Sequence, residues 1–210
     1  MDYKIALIRG DGIGPEIVDE TVKVIDRVGE KFGHTFKYVD VLLGGCATDA
    51  VGKSYPDGTA EICRNCDAVL LGAVGGPKWG SNRPAEERPE TALLAIRKDL
   101  GLYANLRPAA LRPALAEACP LKKETAEKGI NLLMVRELTG VIYFGKRDKY
   151  QTKDRGMEAT DLMAYSEMEI ERIGRRAFEM ARLRRKKVSS VDKANVLEPS
   201  RLWRLALIHI

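Results

Sequence analysis

A short apolar run, a glycine-rich turn and a helix-like stretch follow one another at the start of the chain, and this succession restricts the fold more than any other feature. Residues 3–9 are mostly apolar and lead directly into GDGIGP, as expected for a buried parallel strand that ends at a tight loop. The next stretch, from Pro15 to about Gly33, has the spacing of one apolar helical face. The apolar positions of that face are Ile17, Val24, Ile25 and Val28.

Strand and helix signals continue to alternate along the chain. Predicted strands cover residues 36–43, 67–74, 131–136 and 187–191, and predicted helices cover residues 166–186 and the stretch from Lys193 onward. Residues 143–165 are polar and irregular, which predicts an extended arm outside any sheet core. The alternation indicates an α/β fold with a largely parallel sheet. The second half of the chain differs in its sequence pattern from the first half, and this difference places a boundary between two substructures near residues 100–108.

Composition and charge exclude some classes of function. The chain is 45% hydrophobic and 31% charged, and it has no signal-peptide core and no apolar run of about 18 residues, so we expect a cytoplasmic protein without membrane insertion. The net charge of +5 is concentrated at residues 182–187, where cations favourably meet a helix C-terminus. Aromatic residues do not alternate with these cations, so a nucleic-acid binder is only a minor alternative.

The glycine spacing of GDGIGP tests whether the turn is a dinucleotide fingerprint. That fingerprint has glycine at its first, third and sixth positions. Gly10 and Gly12 fit, but Pro15 occupies the sixth position and Gly14 lies one place early. No well-placed acidic residue ends the second strand, although Asp40 is near the expected distance. The spacing argues against a Rossmann domain, and a tight strand-to-helix turn is the simpler alternative.

Five longer segments occur in one order along residues 3–204. They are RGDGIGPEIV, GAVGGPKW, RPETALLAIRKDLGLYANLRP, VRELTGVIYFGKR and SVDKANVLE. Together they resemble the β-decarboxylating dehydrogenases, and within that family the branch that acts on 3-isopropylmalate; other branches act on isocitrate, homoisocitrate and tartrate. The resemblance implies the two-domain α/β fold of isopropylmalate dehydrogenases, which binds NAD without the Rossmann glycine turn.

The resemblance also implies a domain organisation and a dimer. Residues 1–102 correspond to the first part of the NAD-binding large domain. Residues 103–210 correspond to the first part of the small, dimerisation domain, whose arm at about 143–165 clasps the partner in a homodimer. Family members are longer than this chain, so we expect its fold to be incomplete. The part expected to be missing carries the aspartates that bind Mg²⁺ or Mn²⁺ and the loop that binds adenosine.

The implied activity is the NAD-dependent oxidative decarboxylation of (2R,3S)-3-isopropylmalate to 4-methyl-2-oxopentanoate in leucine biosynthesis. Without the metal aspartates, we expect the 210-residue chain to be inactive alone. Two alternatives stay open. One is a related 2-hydroxy-acid dehydrogenase that acts on tartrate or homoisocitrate, and the other is a noncatalytic chain that binds a full-length partner.

Three arginines in the matching segments suit the two carboxylates of such a substrate. They are Arg97, Arg107 and Arg136. Each has a planar, permanently charged guanidinium group that can bind both oxygens of a carboxylate. Taken singly, any of them would more often be a surface residue. Within their motifs, the resemblance implies that all three are carboxylate ligands.

A helix over residues 90–97 would place four candidate substrate residues on one face. Glu90, Leu93, Leu94 and Arg97 are spaced i, i+3, i+4 and i+7. The leucines offer an apolar surface for an isopropyl group, where an isocitrate enzyme would need polar side chains. By pattern alone the leucines would be core residues. The resemblance favours substrate recognition instead and places Glu90 near the nicotinamide.

The resemblance assigns the remaining roles. Tyr143 matches the proton donor to the enol intermediate, and Lys193 matches the general base. The family places this lysine in the partner subunit's half of the site, together with Asn195 and Val196. An exposed lysine at a helix start would lie unfavourably near the N-terminal dipole, which also favours a functional Lys193. The residues implied for the cofactor are Ile13, Gly75, Gly76, Pro77, Lys78, Trp79 and Glu90.

Two positions depart from the family pattern. Val141 stands where the family usually has a second glycine before Tyr143, and it would strain that turn if the glycine has a positive φ. Pro199 stands where the family usually has serine, and proline is tolerated only in the first turn of a helix.

Overall fold

The structure, a computed structural model, describes residues 1–80, 82–140 and 143–210. It divides into two compact parts, unit 1 at Met1–Gly101 and unit 2 at Leu102–Ile210. That these units are the first parts of a NAD-binding domain and of a dimerisation domain stays a prediction.

Unit 1 contains a three-stranded parallel sheet with the order β2-β1-β3. The strands are β1 (Asp2–Gly10), β2 (Thr35–Asp40) and β3 (Ala68–Ala73). The central strand β1 pairs in parallel with both neighbours, and its residues 5–8 are buried, as a continuous apolar run predicts. The parallel sheet confirms the predicted α/β class.

Helices cover both faces of this sheet. The helices of unit 1 are α1 (Gly14–Phe32), α2 (Gly45–Val51), α3 (Thr59–Arg64) and α4 (Pro89–Asp99). Val18 of α1 packs in one core cluster with Leu7. Cys63 of α3 and Ile96 of α4 pack in a second cluster with Ile8. Because successive strand residues point to opposite faces, β1 contributes to both clusters, and the unit has three layers.

The buried face of α1 differs from the predicted one. Of the four predicted positions, Ile25 packs against the core, whereas Ile17, Val24 and Val28 are exposed. The buried residues are Gly14, Val18 and Gly29. A Cβ on Gly29 would stand 2.7 Å from the carbonyl oxygen of His34, so the helix approaches its neighbours through glycine. Glycine adds nothing to an apolar pattern, and the periodicity therefore indicated the wrong face.

The described residues of unit 2 form two antiparallel strand pairs and three α-helices. β4 (Ala104–Ala110) pairs with β5 (Asn131–Glu137), and β6 (Arg147–Thr152) pairs with β7 (Gly156–Asp161). The helices are α5 (Lys123–Ala126), α6 (Glu167–Arg182) and α7 (Glu198–Leu207). α6 packs on β5 and on α7. The β6–β7 ribbon lies within the predicted arm and pairs with no other strand in the described part of the chain.

Three predictions for the last part of the chain were wrong. Residues 187–191 are exposed and form no strand, because they have no neighbouring strand among the described residues to satisfy their N–H and C=O groups. α6 ends at Arg182, and the left-handed φ of 56° at Lys186 is incompatible with the predicted extension of a right-handed helix to that residue. α7 begins at Glu198 rather than Lys193, with Pro199 in its first turn, where the missing N–H costs nothing.

Among the residues described, none of the helices has the length and apolar character needed to cross a bilayer.

Candidate functional site

The strand order creates a switch point between β1 and β3. β2 and β3 pair on opposite sides of β1, so the loops at the carboxyl ends of β1 and β3 leave a crevice of the kind where open α/β sheets bind ligands. Ile13 lies in the first loop and is 55% exposed, and residues 75–79 lie in the second. The structure thus brings these predicted cofactor residues to one edge of unit 1. The order also differs from the 3-2-1 order of a Rossmann half, as predicted.

A buried carboxylate that the sequence analysis missed joins the loops at this edge. Asp11 is 3% exposed. Its oxygens accept hydrogen bonds from the backbone N–H groups of Gly45, Cys46 and Gly75 at 2.8, 2.7 and 2.8 Å. Gly45 and Cys46 begin α2 and Gly75 follows β3, so one charged acceptor holds three segments together. The signal that could have revealed it is an acidic residue directly after a buried strand.

The loop after β3 is fixed to α2 by Lys78 and Trp79. Both donate to the carboxylate of Asp49, at 2.7 and 3.2 Å respectively, and the bond from Lys78 lowers the pKa of Asp49. A Cβ on Gly45 would stand 2.2 Å from the Trp79 ring, so only glycine lets the ring lie on the start of α2. Lys78 and Trp79 therefore hold the loop in place, and their contact with a cofactor stays a prediction.

Helix α4 keeps the predicted substrate residues away from its buried side. Its buried residues are Pro89, Ala92 and Ile96. Leu93, Leu94 and Arg97 are partly buried, and Glu90 is exposed. Neither leucine belongs to a core cluster, which disfavours the core alternative for both. Glu90 Oε1 lies 3.2 Å from the position that a Cβ on Gly75 would take, so α4 and the loop after β3 meet at this carboxylate.

Two predicted arginines share one strand face in unit 2, and one of them contacts the predicted proton donor. Arg107 lies opposite Met134 and Arg136 opposite Asn105 in the β4–β5 pair, so both arginines point to the same face as diagonal neighbours. Arg136 Nη2 donates to Tyr143 Oη at 3.1 Å, and the guanidinium lies 5.5 Å from the ring centroid. Because the tyrosine oxygen accepts this bond, its own proton stays available for donation. One arginine beside a phenol, with a second arginine on the same strand face, suits an anionic substrate that must be protonated.

The turn that contains Lys193 is held by α7. Ser200 Oγ accepts a hydrogen bond from the N–H of Lys193 at 3.1 Å, and Arg204 Nε donates to Asp192 Oδ2 at 2.7 Å. The bond from Arg204 lowers the pKa of Asp192. Lys193, Asn195 and Val196 are exposed. Because α7 begins further along the chain, Lys193 is not in its first turn, and the expected unfavourable contact with the helix dipole does not arise.

The candidate residues fall into two groups, one in each unit. Unit 1 carries Ile13, residues 75–79, Glu90, Leu93, Leu94 and Arg97, and unit 2 carries Arg107, Arg136, Tyr143, Lys193, Asn195 and Val196. Val141, the departure noted before Tyr143, lies outside the described residues. Within residues 1–80, 82–140 and 143–210, no group of three or more His, Cys, Asp or Glu side chains is placed to hold a metal ion.

Comparison with known protein families gives a match over nearly the whole chain. Residues 4–210 match the family described as isocitrate/isopropylmalate dehydrogenase. A 3-isopropylmalate dehydrogenase of Moorella thermoacetica is 59% identical over 203 residues, covering 96% of this chain and 56% of that protein. A protein of the same name from Nitratidesulfovibrio vulgaris is 55% identical over 204 residues, covering 97% of this chain and 57% of that protein.

A solved structure supports the same relationship at the level of the fold. Isocitrate dehydrogenase from Methylococcus capsulatus is similar with a TM-score of 0.75 at 31% sequence identity, and the match covers 99% of this chain and 56% of that chain. This chain therefore spans a little over half the length of the relatives that it matches.

Proposed function

The chain belongs to the isocitrate/isopropylmalate dehydrogenase family, and we propose that the whole protein catalyses the NAD-dependent oxidative decarboxylation of 3-isopropylmalate to 4-methyl-2-oxopentanoate in leucine biosynthesis. The observation that carries the choice of substrate is the position of two leucines on α4. Leu93 and Leu94 lie outside the core clusters, and they offer the apolar surface that an isopropyl group requires. The third carboxylate of isocitrate would lose hydration against these leucines without gaining a partner from them.

We propose NAD as the cofactor, bound at the switch point, because open α/β sheets bind their ligands at such points. The residues that would hold it are Ile13, Gly75, Gly76, Pro77, Lys78, Trp79 and Glu90. Gly75 has a φ of 108° and no side chain, so a ligand can approach its backbone closely. When bound, NAD accepts a hydride from the carbon that carries the substrate hydroxyl. Mg²⁺ or Mn²⁺ is expected from the family, but the described residues offer no ligand set for it, and no step is assigned to a metal.

We propose the following roles on the substrate for the side chains that match the family's motifs. Arg97, Arg107 and Arg136 bind its two carboxylates. Lys193 takes the hydroxyl proton as the hydride leaves, and after carbon dioxide departs Tyr143 Oη delivers a proton to the enol carbon. The exposure of Lys193, Asn195 and Val196 supports their insertion into the site of a second copy in a homodimer. We place this enzyme in the cytoplasm.

Tyr143→Phe and Lys193→Met are expected to abolish most NADH formation. The assay uses a completed protein, in which the chain is joined to the portion of the Moorella thermoacetica relative that the match does not cover. Its substrates are 3-isopropylmalate and NAD⁺, and Mn²⁺ is added. Each variant should lower kcat by about 10²–10⁴-fold, because each removes a positioned proton-transfer group. Tyr38→Phe and Lys187→Met are matched controls, and both should keep kcat unchanged.

A Tyr143→Phe or Lys193→Met variant that turns over at the rate of its control would contradict the proposed role of that residue. The 210-residue chain assayed by itself should form no NADH, because its side chains cannot replace the polarisation that a metal supplies. NADH formation by that chain would show that the metal requirement is wrong.

A further inference from the structure

A buried carboxylate directly follows the predicted substrate arginine in the sequence and precedes the predicted proton donor. Glu137 ends β5 directly after Arg136, and its side chain is 1% exposed. Its two oxygens accept hydrogen bonds from Arg172 Nη2 at 2.5 Å, from the N–H of Gly140 at 2.9 Å and from Thr139 Oγ1 at 3.2 Å. The carboxylate therefore fastens the turn at residues 138–140, which directly follows it in the chain.

The partner of Glu137 is itself held in place by α6 and by the start of unit 2. Arg172 also donates to Thr139 Oγ1 at 2.7 Å, and its guanidinium lies 4.7 Å from the ring centroid of Tyr103. The N–H of Leu138 donates to the carbonyl oxygen of Tyr103 at 2.8 Å. The ion pair thus connects the turn to a helix and to the residue preceding β4.

The same turn is confined from its other side by the N-terminus of α6. Glu169 belongs to the capping box of that helix with Ser166. A Cβ on Gly140 would stand 2.5 Å from Glu169 Oε1, so the glycine backbone lies directly against this carboxylate. The turn at residues 138–140 is therefore in contact with both Glu137 and Glu169.

We propose that Glu137 is a positioning residue, which with Arg172 sets the contact between Arg136 and Tyr143 and so aims the proton donor at the substrate. This inference rests on the proposed function for the role of Tyr143, but the contact itself is a property of the chain. A gain in stability does not explain why Glu137 and Arg172 form an ion pair here, because a buried ion pair often adds little net stability compared with apolar packing. A role in fixing the position of the neighbouring residues explains why this one carboxylate accepts three hydrogen bonds.

Glu137→Gln in the 210-residue chain tests the contact without any assay of activity. Glutamine keeps the volume but turns an NH₂ group toward donors, so the turn should lose its fixed position. The nuclear Overhauser contact between the Arg136 side chain and the Tyr143 ring should be present in the unsubstituted chain and fall to background in Glu137→Gln. Leu138→Ala is the matched control: it removes a buried side chain from the same turn without altering these bonds, and it should retain the contact.

A second measurement separates this inference from the proposed function. In the completed protein, Glu137→Gln should lower kcat by about tenfold while the KM for NAD is unchanged, and Leu138→Ala should keep kcat even where its Tm falls. An undiminished Arg136–Tyr143 contact in Glu137→Gln, or equal kcat values for the two variants, would overturn the positioning role. If the completed protein without substitutions does not oxidise 3-isopropylmalate, the proposed function fails, and the nuclear Overhauser contact still decides the positioning claim.

Discussion

Gly14→Ala should lower the free energy of unfolding of unit 1 by about 3 kcal/mol or more, because the added methyl group meets backbone atoms that cannot move individually. A Cβ on Gly14 would stand 2.2 Å from the carbonyl oxygen of Arg9 and 2.9 Å from the backbone nitrogen of Ala73. Those atoms belong to the paired strands β1 and β3, so α1 would have to leave the sheet. Urea unfolding followed by Trp79 fluorescence, in a Trp203→Phe background, measures the change.

Gly12→Ala is the control for this substitution. Gly12 has a φ of 57°, and a Cβ there would meet nothing within 4 Å, so alanine should cost only about 1 kcal/mol of backbone strain. Equal losses at the two glycines would show that backbone conformation, rather than close packing of α1 on the strands, explains the requirement at Gly14.

Asp11→Asn should destabilise unit 1 by about 3 kcal/mol, because three backbone N–H groups lose a charged acceptor and hydrogen bonds to charged groups each contribute about 1.5–3 kcal/mol. Asparagine keeps the shape of the side chain but turns its NH₂ group toward at least one of the donors at Gly45, Cys46 and Gly75. The same urea titration measures the loss. We also expect Trp79 fluorescence to change before unfolding begins, because the loop after β3 is released.

Asp40→Asn provides the comparison for Asp11→Asn. Asp40 accepts a hydrogen bond from Arg9 Nε at 2.7 Å, but its side chain is 69% exposed, and an exposed ion pair contributes less than about 1 kcal/mol. If Asp11→Asn were no more destabilising than Asp40→Asn, the carboxylate would not be what holds the three segments together.

The glycine turn shows how far a spacing rule predicts this fold. GDGIGP fails the fingerprint at Pro15, and the strand order β2-β1-β3 confirms that unit 1 is not a Rossmann half. Gly14 nevertheless provides the close packing of helix on strand that the sixth glycine of the fingerprint provides, one place early. That role depends on Ala73, which is far away in sequence, so no local pattern could predict it.

The candidate site was predictable where it depends on local geometry, and the roles that the resemblance implies for its residues stay predictions. The helical spacing of residues 90–97 predicted that Leu93 and Leu94 share a face, and α4 confirms the helix. Asp11 was missed because its donors come from separate loops, and the ion pair of Glu137 was missed because Arg172 lies in another helix. Spacing within one segment does not reveal contacts between distant segments. The helix predicted from Lys193 failed because the apolar pattern does not show where a turn such as that of residues 193–197 delays the first helical residue.

The central claim is that the whole protein acts on 3-isopropylmalate, and substrate preference tests it most directly. The measurement compares kcat/KM for 3-isopropylmalate with kcat/KM for isocitrate, tartrate and homoisocitrate on the completed protein. We predict a preference for 3-isopropylmalate of at least about 100-fold, because Leu93 and Leu94 present an apolar surface to the isopropyl group and no hydrogen-bond partner to a polar one. A kcat/KM for any of the other three acids that equals or exceeds the value for 3-isopropylmalate would contradict that claim. The absence of turnover with all four acids would contradict it as well.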